Sequence, residues 1–97
     1  MKNLSERIKE KLPTLVVFQH GASRDDEEVK TLVAELKGKY GERVDIVIAD
    51  DSNGELKMRY RLEEYPTWIL FKEGQELMRE SGHKTVSELD EMIQRAL

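Results

Sequence analysis

The chain has 97 residues, 38% hydrophobic and 37% charged, with 16 basic and 20 acidic residues and a net charge of −4. That length suits one domain, residues 1–97, able to bury a core without disulfides or a metal. Interspersed charge with no concentrated basic face excludes nucleic acid and anionic membrane as partners, no apolar run is long enough to span a bilayer, and no residue is a cysteine.

Leu4, Ile8 and Leu12 recur every four residues among polar ones, which predicts an amphipathic helix over residues 3–11, with Asn3 as N-cap, Glu6 at capping-box spacing and Pro13 marking the end. Thr14–Phe18 is a continuous apolar run rich in β-branched residues, the pattern of a central strand buried on both faces. Gly21 to Arg24 turn the chain. Val29, Leu32, Val33, Leu36 and Tyr40 then share one helical face. Asp25 or Asp26 caps this helix, Glu27 and Glu28 sit in its first turn, Lys37 and Lys39 in its last, and Gly41 stops it.

Val44–Ala49 reads as a second buried strand, and Ser52 with Glu55 as the capping box of a short helix running to about Arg61. Thr67–Phe71 and Glu76–Ser81 are strands flanking a hairpin turn, Lys72 to Gln75, with Gly74 at its special position. Gly82 ends the hairpin. Ser87, with Asp90 three residues on, opens a last helix whose inner face is Leu89, Met92, Ile93 and Leu97. The order is α-β-α-β-α-β-β-α. Right-handed crossovers make the first strands parallel, and the closing hairpin is antiparallel. The fold class is therefore α/β, a four-stranded mixed sheet between layers of helices.

Tyr65-Pro66-Thr67 ahead of an apolar strand that ends at Phe71-Lys72, with Gly74 beyond it, resembles the thioredoxin family's segment around its cis-proline. Tyr60, Leu62 and Gly82 also fall where that family places a tyrosine, an aliphatic residue and a glycine. The likeness runs from about Leu15 to Leu97. It implies a thioredoxin-like three-layer α/β/α sandwich with a cis Tyr65–Pro66 bond, lacking the family's extra N-terminal strand. The resemblance departs at the active site. Aligning Phe18 with the family's strand phenylalanine puts Ala22-Ser23-Arg24-Asp25-Asp26 where thioredoxins carry Trp-Cys-Gly-Pro-Cys. Ser23 takes the attacking cysteine's place and Asp26 the resolving cysteine's. A serine hydroxyl does not become the thiolate that exchange requires. Val17 and Val47 stand where the family buries an acid and a nearby lysine, an apolar pair that avoids unpaired buried charge.

Other candidates favour bland readings. Ser23 with His20 and Asp25 or Asp26 lacks a nucleophile elbow and reads as competition to cap a helix. His20 and His83 alone make no metal site. Residues 49–60 fail as a calcium loop, because Ala49 and Tyr60 occupy ligand positions; Asp51 reads as a turn residue. Trp68 sits in an apolar strand and belongs in the core. Arg59 and Arg61 flank Tyr60 on a solvated face.

The leading expectation is a redox-inactive, non-catalytic domain that binds protein or peptide as an adaptor. Its candidate surface is the groove near Pro66 formed by Ala22, Ser23, Arg24, Tyr65 and Pro66, with Ser23, Arg24, Asp25 and Asp26 as vestigial active-site positions. The alternative is a designed or engineered cysteine-free thioredoxin-like scaffold with no evolved partner. Either is expected to be a monomer that needs no cofactor or metal. The N-terminal stretch lacks the apolar run of a secretory signal, so the expected location is cytoplasmic.

Overall fold

A computed structural model of the chain describes residues 3–20 and 26–97, the side chain of Asp26 excepted. The turn expected at Gly21 to Arg24 and the caps expected from Asp25 and Asp26 lie outside these described residues. The elements are α1 (Leu4–Ile8), β1 (Thr14–Gln19), α2 (Asp26–Tyr40), a 3-10 turn (Gly41–Arg43), β2 (Asp45–Asp50), α3 (Glu55–Tyr60), β3 (Thr67–Lys72), β4 (Gln75–Ser81) and α4 (Val86–Gln94). The strands form one mixed sheet in the order β2-β1-β3-β4. β2 runs parallel to β1, while β3 is antiparallel to both β1 and β4.

β1 is the centre, and all six of its residues are buried. Successive side chains of a strand point to opposite faces, so β1 feeds two cores. Leu15 and Val17 join Val29, Val33, Leu36, Tyr40, Trp68, Leu70, Leu89 and Ile93 beneath α2 and α4. Val16 and Phe18 join Ile8, Ala49, Leu62, Ile69 and Phe71 on the face of α1 and α3. Trp68 is only 1% exposed, as expected of a core residue. Val17 and Val47 pack into different cores, so they lie on opposite faces of the sheet and do not form the apolar pair expected from the resemblance.

Other expectations need correction. α1 stops at Ile8, short of residue 11. The β3–β4 hairpin explains this: the Gly74 N–H donates to the Ile8 carbonyl at 3.0 Å and the Glu73 N–H to the Glu10 carbonyl at 3.1 Å. Those carbonyls are satisfied from outside, and the helix gains nothing by continuing. Leu12 consequently leaves the stripe and is 37% exposed. The Asn3–Glu6 capping box forms as expected. Glu73 and Gly74 both have positive φ, 52° and 84°, the backbone that a two-residue hairpin turn of matching twist requires.

β2 lies at the sheet edge and is only partly buried, contrary to the buried strand expected from its apolar run. α3 carries no Ser52 cap, and its N-cap is Gly54, with no side-chain bond. α4 begins two residues early, because Thr85 and Glu88 make the capping box in place of Ser87 and Asp90. Asp90 is engaged elsewhere: it accepts from Tyr40 Oη and Lys39 Nζ and so ties α4 to the end of α2. α4 ends at Gln94, which leaves Leu97 54% exposed while Ala96 is buried.

Two sequence frames, Thr85 to Glu88 and Ser87 to Asp90, satisfy the same capping pattern, and mutation separates them. Thr85→Ala is expected to cost about 1 kcal/mol, the usual value of a lost N-cap. Ser87→Ala is expected to cost less than about 0.5 kcal/mol. Urea unfolding of the two variants checks the assignment.

Candidate functional site

The segment between α3 and β3 carries Tyr65 and Pro66, joined by a cis peptide bond. Pro66 is buried and Tyr65 half-buried. The Pro66 carbonyl accepts from the Gly82 N–H at 2.8 Å, which pins the entry of β3 to the end of β4. Gly82 has φ +91°, a conformation costly for a side-chain-bearing residue. Thr67 Oγ1 donates to the Glu64 carbonyl at 2.6 Å and closes the loop from within.

Asp51 holds this loop from the other side. Asp51 is 1% exposed, and its carboxylate accepts three hydrogen bonds: from Tyr65 Oη at 2.6 Å, the Leu56 N–H at 2.8 Å and the Lys57 N–H at 2.7 Å. The latter two are first-turn donors of α3, which Gly54 does not satisfy with a side chain. The Asp51 N–H donates to the Gln19 carbonyl at 2.7 Å. One carboxylate thus joins the ends of β1 and β2, the start of α3 and the Tyr65–Pro66 loop. Burial raises the carboxyl's pKa. The bonds from Tyr65, Leu56 and Lys57, with His20 nearby, outweigh burial and hold it below the ordinary aspartate value. Burial, then the bond to Asp51, push the Tyr65 hydroxyl up to about 12. Tyr65 therefore stays protonated and donates at any physiological pH.

His20 is exposed and its ring lies 5.4 Å from that of Tyr65, tilted by 49°. Lys57 Nζ lies 5.9 Å from the Tyr65 ring centroid. Of the candidate surface, the structure thus places Tyr65 and Pro66 together, beside Asp51 and His20. Ala22, Ser23, Arg24 and Asp25 lie outside the described residues, and Asp26 is the first residue of α2. Among the described residues, no group of three or more His, Asp or Glu side chains is placed to hold a metal ion, and no helix is long and apolar enough to cross a membrane. A concavity of about 610 Å³ lies at the opposite end of the strands, lined by Arg7, Glu10, Leu12, Val44 and Asp45.

Sequence reasoning read Asp51 as a turn residue and missed its central role. The signal was present as an aspartate ahead of Asn53-Gly54 at the mouth of a helix, but Ser52 fitted the capping pattern better. The bond to Tyr65 spans 14 residues and has no local signature.

No family model and no curated protein matches the chain. Among solved structures it is similar to one described as the crystal structure of a designed protein, with a TM-score of 0.82. The two are 22% identical over 95% of this chain and 82% of that one, a likeness of fold.

Removing the carboxylate tests the clamp. Asp51→Ala is expected to destabilise by about 2–4 kcal/mol, since a helix cap is lost and the inward-turned Tyr65 hydroxyl loses its acceptor. The Asp51 carboxyl is depressed in the folded state. Its contribution is therefore fully present above the unfolded value, near pH 3.9, and is lost as pH falls through the lower folded value. Urea unfolding from pH 7 to pH 2 is expected to show less acid destabilisation in Asp51→Asn than in the parent.

Proposed function

We propose that this chain is a cysteine-free, thioredoxin-like scaffold of designed or engineered origin, with no redox activity and no evolved partner. The observation that carries the reading is the designed protein whose fold coincides with 95% of this chain at a TM-score of 0.82. Local features agree with it. Side-chain capping boxes open α1 and α4, and the β3–β4 connection uses a two-residue turn with positive φ at both positions. These are the devices by which a sequence is written to specify a fold.

The thioredoxin-like kinship rests on the Tyr65-Pro66-Thr67 motif and on the cis peptide that leads into β3. The absence of cysteine from the sequence leaves no thiolate to attack a disulfide. The adaptor expected from the sequence has less behind it than the scaffold. The half-buried Tyr65 turns its hydroxyl inward to Asp51, and the exposed His20 is the neighbour it offers to solvent.

Two measurements test this reading. Fluorescence anisotropy against a panel of extended peptides is expected to find no saturable binding at micromolar protein. A peptide that binds the parent and is lost on Arg24→Glu overturns the scaffold in favour of the adaptor. The kinship is tested separately with Ser23→Cys and Asp26→Cys together. Under a mild oxidant this pair is expected to form an intramolecular disulfide, because the alignment assigns the two positions to the family's paired cysteines, whose bond needs a Cα separation of about 4.4–6.8 Å. Two thiols that remain free by mass spectrometry overturn the alignment.

A further inference from the structure

The two edges of the sheet are built differently. β4 carries Glu76, Arg79 and Glu80, and its pairing with β3 is interrupted by a register shift at Leu70 and Phe71. Charge and bulges are the means by which edge strands resist pairing with another chain. β2 has neither along its middle. Ile46, Val47, Ile48 and Ala49 are consecutive and apolar, their register with β1 is unbroken over six residues, and Val47 and Ile48 are only partly buried. Asp45, at one end, is held by Arg7, whose Nε lies 2.9 Å from its carboxylate.

The hydrogen bonds fix which groups face outward. Asp45 donates its N–H to the Pro13 carbonyl at 2.9 Å, and Asp51 donates to that of Gln19 at 2.7 Å. Alternation along a strand then turns Val47 and Ala49 toward β1, and Ile46 and Ile48 away from it. We infer that the outer edge of β2 is a self-association site, where a second copy of this chain pairs antiparallel to give a two-fold dimer with one continuous eight-stranded sheet.

The strand is self-complementary about Val47. With the two-fold axis there, Ile46 of each copy exchanges both backbone bonds with Ile48 of the other. Val47 meets Val47 as the closer, non-hydrogen-bonded pair. Asp45 falls opposite Ala49 and Asp50 opposite Val44, so no carboxylate faces another. Ile46 and Ile48 belong to the core beneath α2 and α4, and Val47 to the core beneath α1 and α3. Both cores therefore continue across the axis. This dimer is our proposal in place of the monomer expected from the sequence.

The full chain carries its own test, because it holds no cysteine to interfere. Sedimentation equilibrium from about 10 µM to about 1 mM is expected to show the mean mass rising toward two chains, as for a small interface of modest affinity. Val47→Lys, which sets like charges directly opposite, is expected to raise the dissociation constant at least about tenfold. Val47→Cys is expected to yield a disulfide-linked dimer on mild oxidation, since the paired Cα atoms lie about 4.5 Å apart. Leu77→Cys, on exposed β4, is expected to remain uncrosslinked. Circular dichroism verifies that each variant is folded, and the cysteine cross-link decides alone if Val47→Lys is not. A parent that stays monomeric to about 1 mM overturns the proposal. So does a dimer that cross-links through Leu77→Cys as readily as through Val47→Cys.

Discussion

Burial of β1 on both faces is the constraint on which the rest of the structure depends. A strand with Leu15 and Val17 on one side and Val16 and Phe18 on the other exposes apolar surface whichever way it turns. It is satisfied only by a strand on each side and helices above and below. β2 and β3 supply the first, and the two hydrophobic clusters supply the second. The layers are unequal. α2 has 15 residues and α4 has 9, whereas α1 has 5 and α3 has 6. Helices that short are marginal alone, so the thinner layer is held by contacts from outside its own helices.

Those contacts are polar and specific. The hairpin tip satisfies the carbonyls of Ile8 and Glu10 and fixes α1. Arg79 donates to the carbonyls of Tyr60 and Arg61 and closes the end of α3, while Asp51 takes the amides at its start. Buried polar groups with every bond made specify one arrangement, and the same groups half-made are costly. The clamp at Asp51 is thus better read as architecture than as chemistry. Asp51 is 1% exposed, and the three bonds it accepts come from α3 and Tyr65.

The loop before β3 serves the sheet itself, because β3 enters beside β1 with the Pro66 carbonyl pinned by the Gly82 N–H at the end of β4. The apolar residues at Val17 and Val47 fit the same account, each filling its own core.

Periodicity made the elements legible. The α-β-α-β-α-β-β-α order, the central strand, the face of α2 through Val29, Val33, Leu36 and Tyr40, and the Gly74 hairpin were all readable, because each is set by neighbours within a few residues. What the sequence left open was decided by contacts across long separations. Ser52 and Ser87 have the local pattern of caps, yet Asp51 and Thr85 do the capping, since Tyr65 orients the former and Tyr40 and Lys39 engage Asp90. Val44–Ala49 reads as a buried strand, but its place at the edge follows from the order of pairing, which an apolar run does not encode. The sequence by itself determined the fold class and the lack of a reactive thiol, because hydrophobic spacing and side-chain chemistry are local. Tertiary structure alone decided where each helix stops, which carboxylate clamps the Pro66 loop and which strands stand at the edges of the sheet, because those depend on partners that meet only after the chain has folded.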